Sequence, residues 1–199
     1  MKKFKLELRI SRKIAIIIAV GVFLVIIFFG VVLPKLESDS KASKLEKVAF
    51  NYYSVQFKAI GGQASKNDFI KYCSQYRDYP GPDPYSLPYN CSVSVKKNID
   101  VVSKTPSEIA QIFESLAKAS QSQGMREAKN PFSLTGVSID SIPNNFNGQP
   151  ISGYTLYGAS AGDCSMAAWY YPWDSNHEIV YSLSCSENFD TPPNSFQVD

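Results

Sequence analysis

The sequence predicts an α+β protein: an N-terminal transmembrane helix, then two or three amphipathic helices packed on a small antiparallel sheet that ends in a disulfide-bridged hairpin. Three observations predict it. Residues 14–33 form an uncharged apolar run, and all four cysteines (Cys73, Cys91, Cys164 and Cys185) lie beyond it. After the run, apolar residues recur first at helical spacing and later with period two. Composition agrees with this reading. Across 199 residues, 44% are hydrophobic and 19% are charged, which excludes a disordered chain. A net charge of +2 gives no argument for a nucleic-acid partner.

The run Ile14–Leu33, IAIIIAVGVFLVIIFFGVVL, has no hydrogen-bonding side chain. About 20 apolar residues at about 1.5 Å rise span a hydrocarbon core of about 30 Å, so the lipid bilayer is its expected partner. Residues 1–13 carry six basic residues against Glu7, leaving 14 Lys and Arg against 17 Asp and Glu in the rest. By the positive-inside rule the segment 1–13 is cytoplasmic and the C-terminal domain lies outside the cell membrane. The competing reading is a cleaved signal peptide. Its apolar region is usually shorter and ends in an A-x-A-like site, whereas this run is followed by Pro34-Lys35-Leu36-Glu37.

Residues 34–47 are polar and are expected as a membrane-proximal stalk. The domain is expected over 48–186. Leu45, Val48, Ala49, Tyr52, Tyr53 and Phe57 suggest an amphipathic helix stopped at Gly61-Gly62. Ser65 and Asp68 form a capping-box pattern that opens a short helix, with Phe69, Tyr72, Cys73 and Tyr76 on one face. Residues 79–90 hold four prolines and no regular element. Cys91, Val93, Val95, Ile99 and Val101 follow period two, broken at Lys97, which reads as one strand or as a strand with an interruption. Thr105-Pro106-Ser107-Glu108 supplies an N-cap, a proline at the first helical position and a box-closing Glu. Ile109, Ile112, Phe113 and Leu116 then form one helical face. Residues 134–139, 153–157, 164–171 and 178–185 read as antiparallel strands. Residues 187–199 are expected as a loosely ordered tail.

The cysteines read as two disulfides, because an even number in an exported domain forms bridges. Intervals of 18, 73 and 21 residues fit no zinc module, and no metal or other cofactor is expected. Strand register fixes the pairing. If residues 164–170 and 179–185 pair so that partner numbers sum to 349, Tyr170 faces Ile179, Ala168 faces Tyr181, Met166 faces Leu183 and Cys164 faces Cys185. A slip of one residue scatters these partners over both faces. Cys73–Cys91 follows by elimination.

Candidate sites are few. Gly158-Ala159-Ser160-Ala161-Gly162 matches the G-x-S-x-G nucleophile elbow, with Asp174 and His177 following in Ser, Asp, His order. That elbow needs a helix after the serine. Here a strand-like segment follows, so a small-residue turn is the competing reading. Trp169, Tyr171 and Trp173 are the candidate binding patch, since exposed Trp and Tyr mark carbohydrate or protein contacts. The layout resembles type IV pilins and pseudopilins, which share an apolar N-terminal helix, a small antiparallel sheet and a disulfide near the C-terminus. The processing Gly before the apolar run and the Glu inside it are absent here, so no functional residue transfers. The sequence favours an envelope binding or structural module, with a glycan or protein partner, over catalysis. A pilin-like subunit and a small serine hydrolase using Ser160 are the alternatives.

Overall fold

A computed structural model describes residues 12–75, 88–127, 145–146, 149–150, 156–170 and 177–198. One unbroken helical rod runs from Arg12 to Ala59: α1 (Arg12–Ile27), a π-helical turn (Phe28–Val32) and α2 (Leu33–Ala59). The sequence suggests a polar stalk over 34–47. These residues are helical, and Ala42 and Leu45 among them join the buried core. Pro34 fails to break the rod because of where it falls. A proline removes one N–H and crowds the carbonyl four residues back. Just before it the ladder widens, with the Leu33 N–H donating to the Phe28 carbonyl, so the proline enters at a register shift and within the first turn of α2.

The side chains of α2 that meet the sheet are Ala42, Leu45, Ala49, Tyr53 and Gln56, all buried and spaced at three to four residues. Ala42 and Ala49 let the helix axis approach the sheet closely. The rod ends in a Schellman motif: Gly61, at φ +80°, donates to the Lys58 carbonyl, and Gly62 donates to that of Phe57. A Cβ on Gly62 would lie 2.3 Å from the Phe57 ring, so the ring closes over this turn only because the residue is glycine.

A seven-stranded sheet forms the second layer, in the order β3-β6-β7-β8-β2-β1-β9. Its strands are β1 (Ile70–Gln75), β2 (Tyr89–Asp100), β3 (Arg126–Glu127), β6 (Leu156–Ala161), β7 (Cys164–Tyr170), β8 (Glu178–Phe189) and β9 (Gln197–Val198). A separate pair, β4 (Asn145–Phe146) and β5 (Gln149–Pro150), completes the strands among the described residues. All pairings in the main sheet are antiparallel except β1 with β9. Helix α3 (Pro106–Ser122) packs beside α2 on the same sheet face, burying Ile109, Phe113, Leu116 and Ala119. Its capping box is complete: the Thr105 hydroxyl accepts from the Glu108 N–H, and the Glu108 carboxylate accepts from the Thr105 N–H. It too closes on a left-handed glycine, Gly124 at φ +81°.

Strands β7 and β8 pair as the apolar alternation predicts, with Cys164 opposite Cys185, Met166 opposite Leu183, Ala168 opposite Tyr181 and Tyr170 opposite Ile179. The segment joining them, 171–176, lies outside the described residues, as do 134–139 and most of the Pro-rich loop 79–90. Both disulfides are present: Cys73–Cys91 links β1 to β2, and Cys164–Cys185 links β7 to β8. Strands β2 and β8 pair over their whole length, from Tyr89 opposite Phe189 to Asp100 opposite Glu178. The two bridges therefore stitch four neighbouring strands at one end of the sheet.

Three expectations need correction. The capping box at Ser65 closes only a single 3-10 turn, Lys66–Asp68, and the helix expected beyond it is strand β1. Pairing with β2 places Cys73 directly opposite Cys91, a constraint that outweighs the local helical spacing. Residues 158–161 belong to β6, and the turn is Gly162–Asp163; of the two readings of the segment from Cys91, the single strand holds, since β2 is continuous through Lys97.

The tail is the third. Strand β8 continues to Phe189, and the chain then docks along α2. The Lys35 ammonium donates to the Pro192 carbonyl, and the Ser38 and Thr191 hydroxyls pair at 2.8 Å. Asp39 accepts from both the backbone N–H and the side chain of Asn194, at 2.8 and 2.7 Å. Lys41 bonds the Asn188 carbonyl at 2.6 Å and Glu187 at 2.9 Å. Phe189 and Phe196 are buried.

Replacing Cys164 and Cys185 together by serine should lower the unfolding free energy by about 3 kcal/mol, the value for a loop of this size. Urea unfolding followed by circular dichroism reads this as a lower midpoint. An unchanged midpoint contradicts it.

Candidate functional site

Two polar clusters tie α2 to the sheet. In the first, the Tyr53 hydroxyl donates to Asp68 Oδ2 at 2.8 Å, and the Lys97 ammonium donates to Asp68 Oδ1 at 2.6 Å. The Ser65 N–H adds a third bond to the same carboxylate, at 3.1 Å. Lys97 stands opposite Tyr181 on the helix-facing side of β2. The charge that interrupts the apolar alternation of β2 is there because it reaches Asp68. In the second cluster, the Tyr181 hydroxyl donates to Gln56 Oε1 at 2.6 Å, and Gln56 Nε2 lies 3.3 Å from Met125 Sδ. Gln56 and Tyr181 have no exposed surface. The Tyr53 and Phe57 rings flank Tyr181, with centroids 6.0 and 5.8 Å away.

These environments shift titration in opposite directions. The hydrogen bond from Lys97 is the main reason the Asp68 carboxyl sits below the usual carboxylate range. Burial, then the Asp68 hydrogen bond, push the Tyr53 phenol upward. Burial, with Tyr53 nearby, does the same for Tyr181. Burial alone pushes the Tyr170 phenol up to about 12. Acid titration at physiological pH is foreign to all four groups, and the clusters act as structural pins.

Between α2 and the edge of β1 runs a groove of about 530 Å³. Phe50 from α2 and Phe69 before β1 form its floor, with ring centroids 6.5 Å apart and an edge-on inclination of 67°. The exposed Lys66 ammonium lies 5.7 Å above the Phe50 ring. Lys47 lines the α2 side and Lys71 the strand side, the latter paired with Glu46 at 2.7 Å. The pattern Phe50, Lys66, Phe69, Lys71 is visible in the sequence. What hid it is the reading of 69–76 as helix, which points these side chains elsewhere.

Sequence-derived candidates fall in other places. Ser160 is exposed in β6, with strands on both sides of it and no helix following. It pairs with Ser165, which pairs with Ser184 in β8. His177 precedes Glu178, six residues from Ser184 along that strand, so about 20 Å separates the two ends. The fold therefore does not bring Ser160 and His177 together. His177 adopts φ +46°, and its carbonyl accepts from the Val101 N–H at 3.0 Å. Asp174, Tyr171 and Trp173 lie outside the described residues. Trp169 is half-buried on the sheet face opposite the helices, opposite Val180, with the Lys96 ammonium 6.0 Å from its ring centroid. Among the described residues no cluster of His, Cys, Asp or Glu could hold a metal ion.

No family model, curated protein or solved structure matches this chain. The functional reading therefore rests on the geometry above.

Asp68 gives a signed pH prediction. Its carboxyl titrates lower folded than in the unfolded chain, where the usual value is about 3.9. It therefore adds stability above that value, and the contribution is lost as pH falls through the folded pKa. Asp68→Asn should lower stability at neutral pH by about 1 kcal/mol or less and flatten the fall in stability below about pH 4. Thermal melts from pH 2 to 7 test this. An acid limb unchanged by the substitution contradicts it.

Proposed function

We propose that the protein is a single-pass membrane protein whose residues 14–33 span the bilayer and whose domain is displayed on the extracytoplasmic side as a binding or structural module of the cell envelope. One observation carries the proposal. Within the continuous helix Ile16–Ala59, the strongly apolar half has mean hydropathy 3.4 over its best window, and none of that window is buried against the domain. The other half forms the centre of the core. An apolar surface of that length left in water costs far more than a small domain can offset. Its natural solvent is hydrocarbon.

The rest of the reading supports one orientation. Six basic residues precede the run, and cytoplasmic flanks carry such an excess. All four cysteines are bridged, which fits an oxidising compartment on the far side. A binding or structural role fits better than catalysis, because Ser160 and His177 are far apart and the titratable clusters are consumed in holding α2. The Trp169 face and the Phe50 groove are the two surfaces on which we place partner contact.

Right-side-out and inverted membrane vesicles should differ under protease. The domain is expected to be digested in the first and protected in the second, with the protein retained in the membrane pellet after alkaline carbonate washing. Release into the supernatant, or digestion in inverted vesicles only, overturns the proposal.

A further inference from the structure

We infer that the groove between α2 and the edge of β1 is a binding site for an acidic saccharide. The inference rests on reading the domain as an envelope binding module and names the class of ligand. The groove, about 530 Å³, falls within the size range of small-ligand pockets, about 300–1,000 Å³. Its floor is aromatic: Phe50 and Phe69 are only half-buried, and their rings meet edge-on with centroids 6.5 Å apart. A sugar ring presents an apolar C–H face that such a floor accepts.

The rim chooses the charge. Glu46 neutralises Lys71, while Lys47 and Lys66 are exposed on either side of the groove and form no ion pair among the described residues. The two ammonium groups favour a carboxylate or another anionic substituent. The rim also chooses against a bare polyanion. Asn51 and Asn67 each offer a donor and an acceptor, and Glu46 offers acceptors only. Sugar hydroxyls both donate and accept and satisfy such a rim. An acidic peptide carries backbone N–H donors too, but its Asp and Glu side chains offer the aromatic floor no ring with an apolar C–H face. Rigid placement comes from the neighbourhood: the Ser65–Asp68 box fixes Lys66, Asn67 and Phe69, and Asp68 is itself held by Tyr53 and Lys97.

The test uses the full chain in nanodiscs of uncharged phosphatidylcholine, titrated by calorimetry with trigalacturonate and with the neutral galactotriose. Trigalacturonate is expected to bind at least about tenfold more tightly than galactotriose, and its affinity should fall with added salt. Lys47→Glu and Lys66→Glu should each weaken it about fivefold or more; Lys47→Glu should leave the melting temperature unmoved, since that side chain is on the surface, whereas Lys66→Glu also gives up the contact over the Phe50 ring. Phe50→Ala should weaken both sugars. Equal affinity for the two sugars, no binding of trigalacturonate, or equal binding of a hexaglutamate peptide overturns the inference. Binding in nanodiscs does not depend on sidedness, so its failure leaves the vesicle result standing, and the reverse also holds.

Discussion

The structure depends on one constraint: a single helix serves two solvents. Its first half presents apolar side chains on every side. Its second half presents them on one stripe, where Ala42, Leu45, Ala49, Tyr53 and Gln56 meet the sheet. Because the backbone ladder runs through without a gap, the position of the sheet is fixed relative to the apolar rod. Pro34, the residue most able to uncouple them, sits at a π-to-α register shift where its missing N–H costs little.

The domain reinforces that coupling from both sides. The C-terminal segment Glu187–Asn194 lies along α2 and bonds it at Lys35, Ser38, Asp39 and Lys41. From within, Tyr181 and Asp68 hold α2 through Gln56 and Tyr53. Buried polar groups of this kind stabilise modestly when paired and cost more when left unpaired, so they select one helix position more than they add stability. The two disulfides close the end of the sheet nearest this contact, since Cys91 stands opposite Glu187, which pairs with Lys41. Outside the apolar run, hydrophobic content falls from 44% to about 39%, so a domain with a lean core draws proportionally more from cross-links.

Sequence legibility follows the range of the determining interaction. The α3 cap at Thr105–Glu108 is local, and it was readable. The β7–β8 register was readable because four apolar pairs and one cysteine pair agree on a single alignment. Strand β1 was not readable. The capping box at Ser65 is real, but only the distant pairing with β2 decides that one turn, not a helix, follows it. Lys97 looked like a break in a strand because its partner Asp68 comes from 29 residues away in sequence. The tail reads as loose because Pro192 and Pro193 hide an order supplied by distant elements, α2 and, through β9, strand β1. The Phe50 groove was lost with β1, while Ser160 stood out through a motif whose required helix is replaced by strand β7.

The most direct test of the central claim is a distance across the junction. Nitroxides on Ile26→Cys and Lys47→Cys in nanodiscs, read by double electron–electron resonance, sit 21 residues apart on one rod. A continuous helix predicts a narrow distribution near 30 Å, from about 1.5 Å per residue. A broad distribution, or one centred well below that value, contradicts a rigid helix shared by anchor and domain.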